Sequence, residues 1–146
     1  TMLLSKLQGE KTVLVDMSCA TGLFTRQFVT SGLYDRVIGC DYSESMLTEA
    51  RRRARGDDDL KQVTAAGKTR LDLVRCDVAR MPIQSESLTA VHAGAAMHCW
   101  PDVQAGVREI YRSLKPGGRF FATTFLAEYF NMVSASEGTD ISESMK

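Results

Sequence analysis

Thr12-Val-Leu-Val-Asp-Met-Ser-Cys-Ala-Thr-Gly-Leu-Phe-Thr-Arg-Gln-Phe28 is the stretch that decides the fold. Its apolar run up to Asp16 is typical of a buried parallel strand, and the small residues 18–22 indicate a tight turn. Apolar residues then recur at helical spacing. Strand, turn and helix in this order predict a nucleotide-binding α/β unit, because small residues let a ligand approach the backbone and a helix N-terminus offers free N–H groups.

Strands and helices alternate along the rest of the chain. We expect further strands at residues 36–41, 71–77, 88–93 and 119–125, with Ser43 and Asp102 as helix N-caps. This alternation predicts one domain over residues 1–146, with a doubly wound, mostly parallel, Rossmann-like sheet flanked by helices. In such sheets ligands bind beyond the carboxyl ends of the strands.

Three further segments have distinct patterns. The clearest amphipathic helix follows Asp102, and its predicted apolar face consists of Val103, Val107, Ile110, Tyr111 and Leu114. The basic and acidic run at residues 51–59 predicts a solvated helix end followed by a surface loop. Residues 115–118, Lys-Pro-Gly-Gly, should end the amphipathic helix, and the polar tail at 131–146 is expected to lack fixed structure.

Composition narrows the class of protein. The chain has 146 residues, with 18 Lys and Arg against 18 Asp and Glu, so its charge gives no argument for nucleic acid or a membrane surface as partner. No apolar run approaches the roughly 20 residues that span a bilayer, which predicts a soluble intracellular protein. The four cysteines form no Cys-x-x-Cys pair. We therefore expect reduced, partly buried thiols and no metal site.

The first turn and Asp41 together indicate a nucleoside ligand. Asp41 follows Gly22 at close to the roughly 20 residues expected when an acidic side chain binds a ribose diol. A dinucleotide enzyme would also need a G-x-G-x-x-G turn, which is absent. The small residues instead occupy alternate positions 18, 20 and 22, after the acid at 16. This pattern favours a nucleoside with a smaller, zwitterionic tail.

Four motifs in order resemble those of class I S-adenosylmethionine-dependent methyltransferases. Residues 16–22, Asp-Met-Ser-Cys-Ala-Thr-Gly, resemble the family's D-x-G-C-G-T-G signature, and residues 37–47 are similar to its second motif. Cys76-Asp77-Val78 resembles the adenine-side motif, and residues 114–120 the turn into strand five. Residues 90–102, Ala-Val-His-Ala-Gly-Ala-Ala-Met-His-Cys-Trp-Pro-Asp, look closest to plant and algal plastid members of the ubiquinone/menaquinone methyltransferase-like group.

The resemblance implies S-adenosylmethionine as cofactor, S-adenosylhomocysteine as product, and a role for each motif residue. The turn would contact the methionine part, Asp41 the ribose, and the residues after strands two and three the adenine, while the end of strand four would lie near the sulfonium. The implied cofactor-binding residues are Asp16, Ser18, Cys19, Ala20, Gly22, Asp41, Tyr42, Met46, Asp77, Val78, Ala93 and Gly94.

Several residues carry separate expectations. Ser18 and Ala20 replace two glycines of the family turn, where a Cβ conflicts with a positive φ or a close approach, so we expect weaker cofactor binding. His98 is the candidate general base beside the methyl donor. His92 is expected to be structural. Trp100 is expected to be a packing anchor, with a cation–π contact to the sulfonium as the alternative.

The expected function is methyl transfer to a small-molecule acceptor such as a quinol or phenol, in the cytoplasm or in a plastid. The alternatives are a non-catalytic binding module of the same fold and, less favoured, a nicotinamide-dependent reductase. The family usually has helices before the first strand and a hairpin after the fifth, which the sequence does not show. We therefore expect a core fragment in which strand five is an edge.

Overall fold

The computed structural model describes residues 12–125, so the predicted polar tail lies outside the described residues. The strands are β1 Val13–Met17, β2 Arg36–Asp41, β3 Arg70–Arg75, β4 Leu88–Ala93 and β5 Leu114–Ala122. The helices are α1 Leu23–Ser31, α2 Glu44–Arg55, α3 Asp58–Ala65 and α4 Val103–Ser113, with short 3-10 turns at Val78–Arg80 and Met97–Cys99. The predicted strands at 36–41 and 88–93 are confirmed to the residue.

All five strands pair in parallel, in the order β3-β2-β1-β4-β5. The predicted parallel, helix-flanked sheet is therefore confirmed. β1 lies at its centre between β2 and β4, so successive connections run outward from β1 in opposite directions. The crevice at such a reversal, beyond the carboxyl ends of the strands, is where ligands bind in open α/β sheets.

Both faces of the central strand are covered. Val13, Val15 and Met17 pack into a cluster with Ile110 of α4, whereas Leu14 faces the opposite cluster with residues of α1 and α3. All five residues of β1 are buried. A strand covered on both faces needs apolar residues at consecutive positions, which explains why the first stretch is a continuous apolar run.

The predicted loop within the charged run is wrong. α2 ends at Arg55, and Asp57 then caps α3, its carboxylate accepting a hydrogen bond from the Leu60 N–H at 3.0 Å. Basic residues favour a helix C-terminus and acidic residues an N-terminus. The basic half of the run therefore ends one helix and the acidic half begins the next.

The predicted apolar face of α4 is confirmed only for Ile110 and for Leu114, which packs against the core from the start of β5. Ile110 is buried, but Val103, Val107 and Tyr111 are 38%, 37% and 82% exposed. Gly106 and Ser113 are the residues that face inward instead. Gly106 packs directly on Trp100, since a Cβ at Gly106 would lie only 3.0 Å from Trp100 Cε3. The helix packs closely through small residues, which a pattern of large apolar residues does not detect.

The fifth strand differs from its prediction at both ends. It begins at Leu114, directly after α4, and ends at Ala122. Leu88 pairs with Leu114 and Ala90 with Arg119, so the residues between form a bulge within the strand rather than a separate turn. Gly117, with φ of 80°, supplies the left-handed conformation there. Across residues 12–125, no helix combines the length and apolar character needed to cross a membrane.

Candidate cofactor site

A cleft of about 770 Å³ opens at the carboxyl ends of the central strands. Its volume lies within the range of about 300–1,000 Å³ typical of small-molecule sites. Of the residues predicted to bind cofactor, eight line it: Ser18, Ala20, Asp41, Tyr42, Met46, Asp77, Val78 and Gly94. The other lining residues are Met17, Ser43, Cys76, Ala95, Ala96, Cys99, Trp100 and Pro101.

The first turn contains left-handed residues at alternate positions. Ser18, Ala20 and Gly22 have φ of 58°, 47° and 75°. A left-handed residue other than glycine costs roughly 1–2 kcal/mol, so the two replacements of family glycines do place a Cβ where the backbone disfavours one. The backbone keeps the conformation despite this cost. The expected effect on cofactor affinity stays a prediction.

Asp41 connects the first turn to the second helix. Its Oδ2 accepts a hydrogen bond from the Ala20 N–H at 2.8 Å, and its Oδ1 accepts one from the Ser43 N–H at 2.8 Å. Ser43 in turn caps α2, as predicted. Each carboxylate oxygen can accept a second hydrogen bond, so the half-buried side chain can also receive ligand hydroxyls from the cleft.

The side of the cleft beyond β2 and β3 is apolar and open. Tyr42 is 69% exposed and Met46 43% exposed, while Val78, which also lines the cleft, is buried. Arg75 supports Tyr42 by donating from Nε to its carbonyl oxygen at 2.9 Å and by placing its guanidinium 5.4 Å from the ring centroid. Asp77 is exposed and caps the Val78–Arg80 turn, accepting from the Ala79 N–H.

Asp16 is held in a buried network behind the turn. Its Oδ2 accepts from the Thr25 hydroxyl at 2.5 Å, and its Oδ1 lies 2.8 Å from His92 Nδ1. His92 is buried between the rings of Phe24 and Phe28, with centroids 5.0 and 5.1 Å away. This placement is that of a structural histidine, as expected.

A smaller cleft of about 160 Å³ adjoins this network. Its lining includes five of the predicted cofactor-binding residues: Asp16, Ser18, Cys19, Ala20 and Gly94. The remaining lining residues are Thr21, Leu23 and Phe24. Ser18, Ala20 and Gly94 border both clefts. The first turn and the end of β4 therefore separate the two spaces.

Three predicted site residues, Ala93, Gly22 and His98, line neither cleft. Ala93 is buried in β4 and lines neither cleft. Gly22 packs on α2, where a Cβ would lie 3.3 Å from Ala50 Cβ. His98, on the Met97–Cys99 turn, lines neither cleft and has its ring 5.2 Å from that of Phe125, although its neighbour Cys99 borders the main cleft.

Sequence reasoning missed the contact between Trp100 and the first turn. Trp100 Nε1 donates a hydrogen bond to Ser18 Oγ at 3.0 Å, and Trp100 is 8% exposed. Packing was expected of this residue, but a hydrogen bond across 82 positions leaves no local signal in the sequence. Ala95, with φ of 50°, adds a further left-handed residue to the wall of the cleft.

The cysteines beside the cleft are free thiols. Cys19, Cys40 and Cys76 are buried, whereas Cys99 is exposed. Burial, together with the nearby Asp16 carboxylate, raises the pKa of Cys19 to about 12. A hydrogen bond with Cys76 and burial raise the pKa of Cys40. Cys19 and Cys40 therefore stay protonated near neutral pH and are poor nucleophiles. The described part of the chain contains no group of three or more His, Cys, Asp or Glu placed to hold a metal ion.

Comparison with known proteins extends these observations. The family described as "Methyltransferase domain" matches residues 15–122. An uncharacterized chloroplastic methyltransferase of Arabidopsis thaliana is 46% identical over 119 residues, which is 82% of this chain and 32% of that protein. A demethylmenaquinone methyltransferase of Clavibacter sepedonicus is 30% identical over 125 residues, 86% of this chain and 45% of that protein. The chain thus spans about a third to under half the length of these relatives.

A solved structure has the same fold. Phosphoethanolamine N-methyltransferase 2 of Haemonchus contortus, in complex with phosphomonomethylethanolamine and S-adenosylhomocysteine, matches with a TM-score of 0.65 at 21% identity, over 95% of this chain and 32% of that one. The family match covers most of the chain, and the predicted plastid resemblance is confirmed by the chloroplastic relative. The chain therefore belongs to the class I S-adenosylmethionine-dependent methyltransferases, and it is similar to members of the quinone methyltransferase-like group.

Proposed function

We propose that this chain binds S-adenosylmethionine in the main cleft and transfers its methyl group to a small-molecule acceptor. The observation that carries the proposal is the placement of Asp41. Its carboxylate is anchored by two backbone N–H groups at the carboxyl end of β2 and borders a cleft of suitable size. A fixed carboxylate of this kind is the group that binds a ribose diol in nucleoside sites.

The residues around Asp41 suit the other parts of the cofactor. Tyr42, Met46 and Val78 offer apolar surface to the adenine. The first turn brings small side chains and backbone groups to the tail, and the negative charge of Asp16 lies behind it. Gly94 borders both clefts without a side chain, and packing requires this, since a Cβ there would meet His92 Cε1 at 2.9 Å.

When bound, the cofactor supplies a methyl group already activated by the positive sulfonium. The chain therefore needs no covalent nucleophile, consistent with the protonated state of Cys19. Its contribution is to hold the two reactants in line and to exclude water, which lowers the barrier by proximity and orientation. We propose His98 as the base that removes a proton from a phenolic or quinol acceptor, because histidine is the side chain that most often acts as a general base and the adjacent Cys99 borders the main cleft.

We propose a quinol-like acceptor and a plastid location. A demethylmenaquinone methyltransferase and a chloroplastic methyltransferase are among the relatives. Exposed apolar side chains near the end of β4 also suit an apolar acceptor. Leu23 and Phe24 line the smaller cleft and are 52% and 46% exposed, and Phe121 is 63% exposed and stacks on His92.

Calorimetric titration with S-adenosylmethionine tests the proposal. We expect micromolar binding by the unchanged chain and at least about 10-fold weaker binding by Asp41→Asn, because a hydrogen bond to a charged group contributes about 1.5–3 kcal/mol. Asp58→Asn, an exposed acid on α3 outside the cleft, is the matched control. Absence of heat would support the non-catalytic alternative, and displacement of the cofactor by NADH would support the reductase.

A further inference from the structure

The charged side chains that line the two clefts are all acidic. Asp41 and Asp77 border the main cleft, and Asp16 borders the smaller one. Among the described residues that line either cleft, none is a lysine, an arginine or a histidine. The whole chain has 18 Lys and Arg against 18 Asp and Glu, so the imbalance is local to the site.

Positive groups near the clefts offset only part of this charge. The Arg75 guanidinium does not line the main cleft and lies 5.4 Å from the ring centroid of Tyr42. His92 Nδ1 lies 2.8 Å from Asp16 Oδ1, so His92 can offset at most that one carboxylate. The amino ends of α1 and α2 also lie at this edge of the sheet, but a helix N-terminus carries only about half a unit of positive charge. The balance of charge at the site is therefore negative.

The Cys19 thiol, at the base of the first turn, responds to the same charges. Burial raises the pKa of Cys19 to about 12, and the Asp16 and Asp41 carboxylates act in the same direction. A negative charge opposes the formation of a thiolate and, by the same interaction, favours a cation nearby. The space beside the first turn therefore suits a positively charged group.

The cofactor and its product differ in charge. S-adenosylmethionine has a sulfonium and an ammonium against one carboxylate, whereas S-adenosylhomocysteine has a neutral thioether and no net charge. We propose that Asp16, Asp41 and Asp77 together make the site selective for the sulfonium, so that the chain binds S-adenosylmethionine more tightly than S-adenosylhomocysteine. This inference rests on the proposed function and adds to it the property by which the site distinguishes cofactor from product.

Calorimetry with three ligands tests the selectivity. Sinefungin has a protonated amine on carbon where the cofactor has its methylated sulfur, so it keeps the positive charge and cannot donate a methyl group. We expect S-adenosylmethionine and sinefungin to bind about 10-fold more tightly than S-adenosylhomocysteine in about 20 mM NaCl, since one partly screened charge interaction of about 1.4 kcal/mol gives this factor. The preference should fall to about 2-fold in about 500 mM NaCl, because salt screens charges across an open cleft.

Asp77→Asn removes one negative charge and keeps the local hydrogen bond. Asp77 Oδ1 accepts from the Ala79 N–H at 2.9 Å, and an asparagine Oδ1 can accept the same bond. The preference for sinefungin over S-adenosylhomocysteine should fall from about 10-fold to about 3-fold in low salt. The ratio of affinities is the readout, because a lost adenine contact would weaken both ligands equally. Asp58→Asn, an exposed acid that lines neither cleft, is the matched control and should keep the full preference.

The outcomes separate this inference from the proposed function. Equal affinities for the three ligands, or tighter binding of S-adenosylhomocysteine, would overturn the inference and leave the proposed function intact. A preference for the two cations that neither salt nor Asp77→Asn reduces would overturn it as well, because its cause would not be the charge of the cleft. If the unchanged chain binds none of the three ligands, the proposed function fails and the charge selectivity with it.

Discussion

At the scale of single residues, Ala20 adopts the left-handed conformation of the first turn, which is unfavourable for alanine, and its methyl group makes no hydrogen bond that would offset this. Its φ is 47°, and its N–H donates to Asp41 Oδ2 at 2.8 Å. A glycine would keep that backbone hydrogen bond and remove the steric conflict of Cβ. Ala20 therefore differs from Ser18, whose hydroxyl takes part in the contact with Trp100.

We expect Ala20→Gly to raise the free energy of unfolding by about 1 kcal/mol, because relief of the left-handed conformation exceeds the added entropy of the unfolded chain. Urea unfolding measures the change. Ala66→Gly is the matched control, since Ala66 is exposed with φ of −73° and should lose stability on the same substitution. A loss of stability in Ala20→Gly would contradict the assignment of strain.

His98 gives a second prediction at this scale. His98→Ala should lower turnover of a demethylmenaquinol analogue about 100-fold and leave the affinity for S-adenosylmethionine unchanged, because a positioned general base contributes about 10²–10⁴-fold. Steady-state kinetics measure the turnover, and calorimetric titration measures the affinity. Unchanged turnover would remove His98 from the mechanism.

At the scale of elements, α4 is tied to the segment that precedes β4. Arg112 donates to the carbonyl oxygens of Ile83 and Met81 at 2.9 and 3.3 Å and to Ser85 Oγ at 3.0 Å. Glu109, one turn earlier, accepts from Arg112 and from the Met81 N–H at 2.9 Å. The pair therefore fixes α4, which carries the Gly106 surface against Trp100, relative to the sheet.

Glu109 makes the free energy of unfolding depend on pH in the acid range. The hydrogen bond from Arg112 lowers the pKa of Glu109 in the folded chain. A carboxylate with a lowered pKa stabilises the fold above its unfolded pKa, near 4.3, and that stabilisation is lost as pH falls through the lower, folded value. Between pH 5 and 3 the unchanged chain should thus lose more stability than Glu109→Gln. Urea unfolding across this range measures the difference, which should stay constant from pH 6 to 8. Parallel curves down to pH 3 would contradict the role of Glu109.

Local signals predicted some elements well and others poorly. The N-caps Ser43 and Asp102 were predictable because a short polar side chain before an apolar helical pattern has a local cause. α3 was not predicted, because a run of basic and then acidic residues is typical of a solvated surface loop. Only the recognition of Asp57 as an N-cap identifies the start of this helix. The inward face of α4 was missed because its contacts depend on small size. The Ser18–Trp100 contact depends on tertiary structure and has no sequence signature.

At the scale of the whole molecule, the parallel sheet brings residues distant in sequence to one edge. The resemblance implied that Asp16, Asp41 and Asp77 bind the cofactor, and in the structure they lie near the carboxyl ends of β1, β2 and β3. The structure places Asp41 and Asp77 on the main cleft and Asp16 on the smaller one. Topology therefore predicted the edge at which the clefts lie, whereas their division into two depends on packing of the first turn against β4.

Ligand binding should stabilise the whole sheet through this edge. S-adenosylhomocysteine at 100 times its Kd should add about 2.7 kcal/mol to the free energy of unfolding and raise Tm by several degrees, because it binds only the folded chain. Differential scanning fluorimetry measures the shift. NAD⁺ at the same concentration should leave Tm unchanged. An equal shift with NAD⁺ would favour the dinucleotide alternative.

The most direct test of the central claim is a crystal structure of this chain with S-adenosylhomocysteine. The account predicts the adenosine in the main cleft, with the ribose hydroxyls within hydrogen-bond distance of the Asp41 carboxylate and the adenine beside Tyr42 and Val78. A ligand bound elsewhere, or a ribose that makes no contact with Asp41, would contradict it.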